Sequence, residues 1–453
     1  MNRKIRLRPL VLALGVGFIL QTPVTLAADL SLAEAIKTAL RQNTSLAITR
    51  QAEDKAEATL RQNKGKNSVS VSLSDRLSAG KSDDGSNNAS NNLSISGSLP
   101  LYTGGKNEAT IESSKIGVAS AALATERERE NMKLTVSKAY YDALQARRTC
   151  TVRQEEVDNY RSHYENVSAF YSAGSKAKID VLRSEVELSN SEQNLIKAQT
   201  SYENNLSVLR NLLNISRTEP LNLTDDVLYE PFGRQLPECI DYALEHRKDL
   251  LNDLNKVKQR ELDVKIAEAG YKPTVNLSAG ADNSNTFSPS SESSRSISAG
   301  VSASWNIFDS GVTKAAVDAA KIDLATAQLT ADKDRQQIDL DLRQAYTNMR
   351  EAERRFKSTT DAVNKAQEDY FIAKEKYRAG EGIMLDIIDA QTALSQAQLN
   401  FIEAQYDYAR YKATVENAMG IPLTAAETGE PEFSTPEADA AREFARATLK
   451  KIG

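Results

Sequence analysis

The residue types that most often carry chemistry are scarce in this chain and lie far apart. It contains two cysteines, Cys150 and Cys239, and two histidines, His163 and His246. No group of His, Cys and carboxylate residues has the spacing of a metal site. The segment Gly300-Val-Ser-Ala-Ser304 approaches a nucleophile elbow but lacks its final glycine. A phosphate-binding loop and a zinc-binding His-Glu helix are also missing, so the sequence predicts no enzyme, no cofactor and no metal site.

The N-terminus has the pattern of an export signal. Four basic residues precede an apolar run from Leu10 to Leu20, and Thr25-Leu-Ala27 offers small residues for cleavage. We therefore expect residues 1–27 to be a secretory signal peptide. Its removal leaves 53 Lys and Arg against 62 Asp and Glu, a net charge of −9. An acidic exported chain is a poor nucleic-acid binder, because phosphate contacts need clustered Lys and Arg.

The rest of the chain is a tandem duplication. Its clearest copies are residues 170–182 and 376–388, which align with an offset of 206 residues and place Gly174 on Gly380. In each copy a helical pattern runs in, a glycine interrupts it, and another helical pattern follows. Each copy therefore predicts the tip of a helical hairpin, with Gly174 and Gly380 as helix terminators that tolerate positive φ.

The boundaries of the two repeats follow from this alignment. We assign the first repeat to residues 28–216 and the second to residues 236–421. Residues 217–235 contain two prolines and a glycine, which is typical of a linker. The polar segment 422–453 has no counterpart in the first half, and we expect a helix at about 437–451. Export permits a disulfide, but the two cysteines fall at non-corresponding positions, and two unpaired thiols are the favoured interpretation.

Within each repeat the predicted order is short helix, strand, strand, long helix, tip and return helix. The hydrophobic period changes from 3.6 to 2 after the short helix, where apolar residues begin to alternate with serines. Polar segments rich in Ser, Asn, Asp and Gly separate the paired strands and predict flexible loops. The expected short helices are 31–62 and 236–270, the strands 67–77, 92–102, 273–283 and 295–308, and the loops 80–92 and 282–294.

The alternating strands have two interpretations. The first is an ordinary half-buried sheet. The second is a transmembrane β-barrel with lipid outside and water inside. Four strands are too few to close a barrel, since membrane barrels need about eight or more. A barrel would therefore require an oligomer, in which a dimer supplies eight strands and a trimer twelve.

The predicted helical hairpins cover residues 106–214 and 312–419. Their long helices, 106–172 and 312–378, contain no proline, and at about 1.5 Å per residue each is roughly 100 Å long. The return helices, 176–214 and 384–419, are much shorter. Because a return helix and a short helix together match the length of a long helix, we expect them to stack end to end. A seven-residue apolar repeat in the return helices predicts packing against a partner helix.

This duplicated architecture resembles the TolC-like outer-membrane efflux proteins. The resemblance covers about residues 31–421 and is carried by the opening Ser31-Leu-x-Glu-Ala-Ile36, by the strand-to-helix turns 100–105 and 305–311, and by the two tips. It implies a mainly α fold with a transmembrane β-barrel portion, in which three protomers share a 12-stranded barrel and an α-helical barrel. It also implies an outer-membrane exit duct with a long periplasmic extension.

The resemblance further implies partners and a gate. The tips close the periplasmic end and open when a periplasmic adaptor and an inner-membrane pump engage. Gate residues carried over from the family are Asp386, Asp389, Asp180 and Tyr377. An i, i+3 spacing places Asp386 and Asp389 on one helix face. Threefold symmetry would turn each into a ring that attracts cations. Asp180 has an alternative role as the N-cap of its helix.

One departure from the family affects the gate. The basic residue that the family has in the second tip falls on Gly382, so the closing contacts must differ, and Lys176 and Lys178 are candidate replacements. Adaptor contact is expected at the tips, and the strand-to-helix turns carry part of the resemblance. The tip residues are Tyr171, Gly174, Gly380 and Gly382, and the turn residues are Tyr102, Gly105, Phe308 and Gly311.

Two functions remain in competition. The leading hypothesis is a passive exit duct of a tripartite efflux or type I secretion system, which performs no chemistry of its own. The alternative is a periplasmic coiled-coil structural or adaptor protein. The alternative accounts for the helices and their heptads but leaves the four alternating strands unexplained.

Overall fold

A computed structural model describes residues 28–81, 87–217, 220–227, 229–288 and 291–428. The expected signal peptide and the helix expected at about 437–451 lie outside these residues. The elements in chain order are β1 (Ala28–Leu30), α1 (Leu32–Gln42), α2 (Thr44–Lys66), β2 (Ser70–Lys81), β3 (Asn87–Tyr102), α3 (Lys106–Ser172), α4 (Lys178–Leu213), β4 (Leu221–Leu223), α5 (Leu236–His246), α6 (Lys248–Glu268), β5 (Thr274–Ser288), β6 (Glu292–Ser304), α7 (Val312–Ala379), α8 (Met384–Met419) and α9 (Ala425–Thr428).

Two long helices form the frame of the molecule. Helix α3 has 67 residues and α7 has 68, which at about 1.5 Å per residue makes each roughly 100 Å long. Helix α4 returns along α3, and α8 returns along α7. Helix α8 also packs against α3, so it joins the two hairpins into one body.

The short helices are each broken in two, which corrects the prediction of single helices at 31–62 and 236–270. The breaks fall at Asn43 and Arg247, where the backbone is extended. The Asn43 side chain accepts a hydrogen bond from the Ser45 backbone N–H at 2.8 Å and so caps α2. A one-residue break leaves the apolar period nearly intact, which explains why periodicity did not reveal it.

Both breaks lie where a return helix ends. Asn43 Nδ2 donates to the carbonyl of Leu212, near the end of α4, at 3.0 Å. Arg247 Nη1 donates to the carbonyl of Ala418, near the end of α8, at 3.4 Å. The return helix and the short helices therefore meet end to end along the long helix in both repeats, as their summed lengths predict.

The four long strands form one antiparallel sheet in the order β2-β3-β5-β6. Strands β3 and β5 pair across the two repeats, with Ser96 opposite Gly280. Apolar and hydroxyl side chains alternate along the strands, so one face is apolar and the other is lined by serines. Opposed serine hydroxyls bond across the strands, as in Ser72–Ser96 at 2.9 Å.

The strands extend into most of the residues expected to be loops at 80–92 and 282–294, so that expectation was wrong. Ser78 and Ser90 hydroxyls lie 2.8 Å apart across the ladder, and Asn91 Nδ2 donates to Asp75 Oδ1 at 2.7 Å. Cross-strand bonds of this kind let polar residues continue a sheet. The last strand is shorter than expected, because β6 ends at Ser304 rather than at residue 308.

The segment expected to be a linker contains structure of its own. Strand β4 pairs in parallel with β1, with Asn222 opposite Asp29. The buried Tyr140 hydroxyl donates to the Leu30 carbonyl at 2.8 Å and so fixes this small sheet to α3. The linker is therefore packed against the first repeat near the junction of its helices.

Both cysteines are free thiols, which confirms the favoured interpretation. Across the part of the chain that the structure describes, each helix lacks an apolar stretch long enough to span a membrane.

Substitutions at two adjacent glycines would test how tightly the strand-to-helix turn of the first repeat packs. Gly104 and Gly105 both have positive φ, +68° and +90°. A Cβ on Gly104 would lie 3.0 Å from the Ala269 carbonyl oxygen, whereas a Cβ on Gly105 would meet open space. We expect Gly105→Ala to cost only backbone strain, about 1–2 kcal/mol, and Gly104→Ala to cost more. Thermal unfolding of the two variants checks this, and a larger loss for Gly105→Ala would contradict the packing.

A candidate gate at the helix tips

In both hairpins the long helix ends at the glycine that the sequence predicts as its terminator. Gly174 has φ +76° and Gly380 has φ +79°, in the left-handed region that favours glycine. The Ser175 N–H donates to the Phe170 carbonyl at 2.8 Å, and a corresponding bond closes the second tip. Reversal of the chain at each tip is therefore fixed by local backbone geometry.

An apolar cluster joins the two hairpins at this end of the molecule. It draws on α3 of the first repeat and on α7 and α8 of the second, so separating the hairpins would expose it to water. We call it the tip cluster, and its buried members are Val167, Ala373, Tyr377, Met384, Ile387 and Ala390.

Tyr377 lies at the centre of the tip cluster. Its side chain is only 6% exposed, and its hydroxyl has no hydrogen-bond partner among the described residues. Lys176 Nζ, from the tip of the first repeat, stands 4.1 Å from the centroid of its ring. Burial raises the pKa of the Tyr377 hydroxyl, and the charge of Asp180 raises it further. A cation–π contact thus connects the two tips.

A side chain at Gly382 would be crowded by the backbone of the second tip. A Cβ at this position would lie 3.0 Å from the Tyr377 backbone nitrogen. Of the two lysines considered as replacements, Lys176 contacts the Tyr377 ring.

His163 is a member of this site that sequence reasoning missed. Its ring packs edge-on against Tyr377, with centroids 5.5 Å apart, and its Nε2 lies 2.7 Å from Met384 Sδ. Burial lowers the pKa of His163 to about 4. The charge of Lys374 lowers this pKa further, whereas the charge of Asp180 raises it. A lone histidine inside a helical pattern carries no signal of such a contact, because the contact is between distant segments.

The three predicted gate aspartates differ in their surroundings. Asp386 is exposed, and its Oδ2 accepts from the Ile383 N–H at 3.2 Å, so it caps the start of α8. Asp389 is exposed and makes no ion pair with another described residue. Asp180 is half-buried in the first turn of α4, where the N-cap is Ala177. The alternative of Asp180 as N-cap is therefore wrong, although its position in the first turn still favours a negative charge.

The other predicted residues lie outside the tip cluster. Tyr171 is exposed on the first tip. Tyr102 and Phe308 are exposed at the strand-to-helix turns, at the opposite end of the long helices. Gly105 and Gly311, at the N-caps of α3 and α7, have φ of +90° and +87°. Among the residues the structure covers, no group of three or more His, Cys, Asp or Glu side chains is placed to hold a metal ion.

Comparison with known proteins identifies the class. The chain matches the Outer membrane efflux protein family over residues 35–214 and 239–421. It therefore belongs to that family, whose members are outer-membrane channels. The helical hairpins accordingly extend on the periplasmic side.

Individual relatives agree with this membership. Protein CyaE of Bordetella pertussis is 30% identical over 41% of this chain and 40% of its own length. The alkaline protease secretion protein AprF of Pseudomonas aeruginosa is 24% identical over 68% of this chain and 67% of its own length. The crystal structure of VceC, an outer membrane protein of Vibrio cholerae, has a TM-score of 0.72 at 18% identity, and the match covers 86% of this chain and 96% of VceC. This likeness shows the shared fold.

The half-buried His163 predicts a pH-dependent tip. Because its folded pKa of about 4 lies below the ordinary value of 6.5, the neutral ring stabilises the tip fully above pH 6.5. That stabilisation, on the order of 3 kcal/mol, is lost as the pH falls toward 4. We expect amide hydrogen exchange in the tip to accelerate, after correction for intrinsic rates, as the pH falls through this window.

The matched variant is His163→Gln, which cannot acquire the ring charge. We expect its tip to be less stable at neutral pH and to lose much less protection on acidification. An acid response identical to that of the original protein would rule out His163 as its source.

Proposed function

We propose that this chain is the exit duct of a tripartite efflux or type I secretion system. It acts as a homotrimer in the outer membrane and works with a periplasmic adaptor and an inner-membrane pump. It is a passive conduit that performs no chemistry. The observation that carries this proposal is a sheet with one exposed apolar face, joined directly to helical hairpins whose tips meet in a single closable cluster.

The sheet supports insertion into lipid. Its apolar side chains point away from the serine-lined face and are strongly exposed, with Ile297 at 90% and Leu73 at 71%. A face of this kind is unfavourable in water and favourable in a bilayer. The serine face suits a wet lumen, because hydroxyls bond to water as readily as to one another.

Exposed apolar stripes on the hairpins support contact between copies of the chain. Helix α4 exposes Ile179, Leu182 and Val186 at helical spacing on the side away from α3. Helix α7 exposes Phe371 and Ile372 near the same end of the hairpins. Stripes on opposite hairpins form a heterologous pair, which generates a closed ring when the rotation between copies closes. Three copies supply twelve strands to one barrel.

The proposed gate is formed by residues at the hairpin tips. Asp386 and Asp389 are exposed on one face of α8, and three copies would bring them together as two rings of like charge around the axis. In the closed state the tip cluster and the Lys176–Tyr377 contact hold the hairpins together. Opening requires the hairpins to separate there, which a partner drives by binding the tips better when they are apart. We place the adaptor's contacts at Tyr171, Gly174, Gly380 and Gly382.

The relatives include both secretion and efflux proteins. AprF is named for the secretion of a protease, and other relatives, such as TtgC of Pseudomonas putida, are named for efflux pumps. A periplasmic coiled-coil adaptor is the weaker candidate, since such a protein has no use for a sheet with one apolar face in contact with solvent.

The aspartate rings predict cation selectivity. We expect the protein to give a small, cation-selective conductance in planar lipid bilayers, because rings of carboxylates attract cations and repel anions. The double variant Asp386→Asn/Asp389→Asn should lose most of that preference. The measurement is the reversal potential in a salt gradient.

The control is Asp361→Asn, which neutralises another exposed carboxylate on α7. It should retain the selectivity of the original protein. Equal selectivity in all three proteins would keep the duct but move the gate elsewhere. Absence of current from folded, oligomeric protein would reject the duct and favour the periplasmic coiled coil.

A further inference from the structure

Two side chains at the tips bring a nitrogen atom and a sulfur atom together from different repeats. His163 Nε2, on α3, lies 2.7 Å from Sδ of Met384, the first residue of α8. This separation is below the usual N–H···O distance of about 2.9–3.0 Å, although sulfur is the larger atom. The imidazole nitrogen and the thioether sulfur therefore converge on one point between the two hairpins. We call these two residues the imidazole–thioether pair.

The imidazole–thioether pair lies against the tip cluster, in largely apolar surroundings. Met384 is only 5% exposed, and Val167 and Ile387 belong to the same buried cluster. The His163 ring packs edge-on against Tyr377, which restricts its rotation. His163 itself is half-buried, so solvent reaches one side of the pair. The two atoms are therefore shielded from bulk water and still accessible to a small solute.

Both atoms are neutral, soft electron-pair donors. A neutral imidazole has one nitrogen with a free lone pair, and the lowered pKa of His163 keeps the ring neutral at neutral pH. The Met384 thioether carries no charge. Thioether ligands select Cu(I), and imidazole also suits copper, whereas Mg²⁺ and Ca²⁺ prefer oxygen ligands. The donor types therefore favour a soft metal ion.

The charges around the pair favour an ion with a single charge. Asp180 and Lys374 act on His163 in opposite directions, and neither donor atom supplies a negative charge. A divalent ion would leave more uncompensated charge in this half-buried place than a monovalent ion, and uncompensated charge away from water is costly. Charge and donor type thus point to the same class of ion.

We propose that His163 and Met384 form a binding site for a soft monovalent metal ion of the Cu(I) class, which fastens the two hairpins together at their tips. The ion bridges α3 of the first repeat and α8 of the second. Its bonds to nitrogen and sulfur are about as long as those of zinc, about 2.0 and 2.3 Å. The sulfur must retreat by roughly 1 Å to admit it, which the three rotatable bonds of methionine permit.

The site is complete within one chain and stands without the proposed trimer. Only its consequence for the duct rests on the proposed function, because an ion that binds the closed tip better than the open one favours closure by mass action. Sequence reasoning missed the pair because it looked for clusters of His, Cys and carboxylates, and because the two residues are 221 positions apart.

A packing contact without a metal ion is the rival explanation. Methionine sulfur commonly packs near ring edges at about 5 Å from the ring. Here the sulfur lies 2.7 Å from one ring nitrogen, which is the atom that would bind a metal. This directed approach favours the metal site.

Silver(I) is the probe, because it shares the soft ligand preferences of Cu(I) and is stable in air. Amide hydrogen exchange of the full-length protein is measured near neutral pH, in chloride-free buffer, at increasing concentrations of free Ag⁺. Protection by a bound ion grows as 1 + [Ag⁺]/Kd. At ten times Kd we therefore expect exchange in residues 160–170 and 380–390 to slow about tenfold.

Three variants assign the response to the pair. Met384→Leu conserves the apolar volume and should lose the Ag⁺ response while exchange without Ag⁺ stays close to that of the original protein. His163→Gln removes the other donor at a half-buried position and should also lose the response. The control Met349→Leu removes a fully buried sulfur on α7 outside the tip cluster and should keep it.

The two thiols also bind Ag⁺, but at other places in the fold. Cys150 precedes His163 by thirteen residues, roughly 20 Å along α3, and Cys239 lies in the core around α5 and α7. Their binding is common to all variants and does not protect the tips selectively.

An original protein whose tips gain no protection from Ag⁺ would overturn the site. Tip protection that survives in both Met384→Leu and His163→Gln would overturn it as well. Either result would make the pair a packing contact and leave the proposed function untouched, since the duct does not depend on a metal ion.

Discussion

The unpaired edges of the sheet are the constraint on which the rest of the structure depends. Within the described residues, β2 pairs only with β3, and β6 pairs only with β5. In lipid, every backbone N–H and C=O needs a partner from the protein, since no water is available. A four-stranded sheet with two open edges therefore has no stable place in a membrane alone. Closure with further copies satisfies both edges, and the dimensions of the helical part must fit the barrel that results.

The helices of the two repeats fit the barrel because they are matched in length. Each long helix is lined by a return helix and by short helices that meet end to end. The meeting points, at Asn43 and Arg247, use side-chain bonds to the last carbonyls of the return helices. Because both repeats use this arrangement, the two hairpins remain similar in length, and their tips arrive at the same level. Only then can the tip cluster form and Lys176 reach Tyr377.

The parts of this fold that depend on local sequence could be predicted, and those that depend on distant contacts could not. Gly174 and Gly380 indicate the tips in the sequence, because a positive φ is a local backbone property that favours glycine. The predicted limits of the strands were wrong because Ser and Asn favour turns by propensity. Cross-strand hydrogen bonds such as Ser78–Ser90 hold these residues in the sheet instead. The contact of His163 with Met384 joins segments more than 200 residues apart, and nothing in either segment signals it.

The central claim is that one copy of this chain is an incomplete part of a duct and that three copies complete it. Native mass spectrometry of the full-length protein released from lipid nanodiscs tests this claim most directly. The account predicts a particle of three copies, with no stable population of single chains in the membrane-inserted fraction. A membrane-inserted monomer or a dimer would contradict it, because either would require the strands to close their edges in a way that this account excludes.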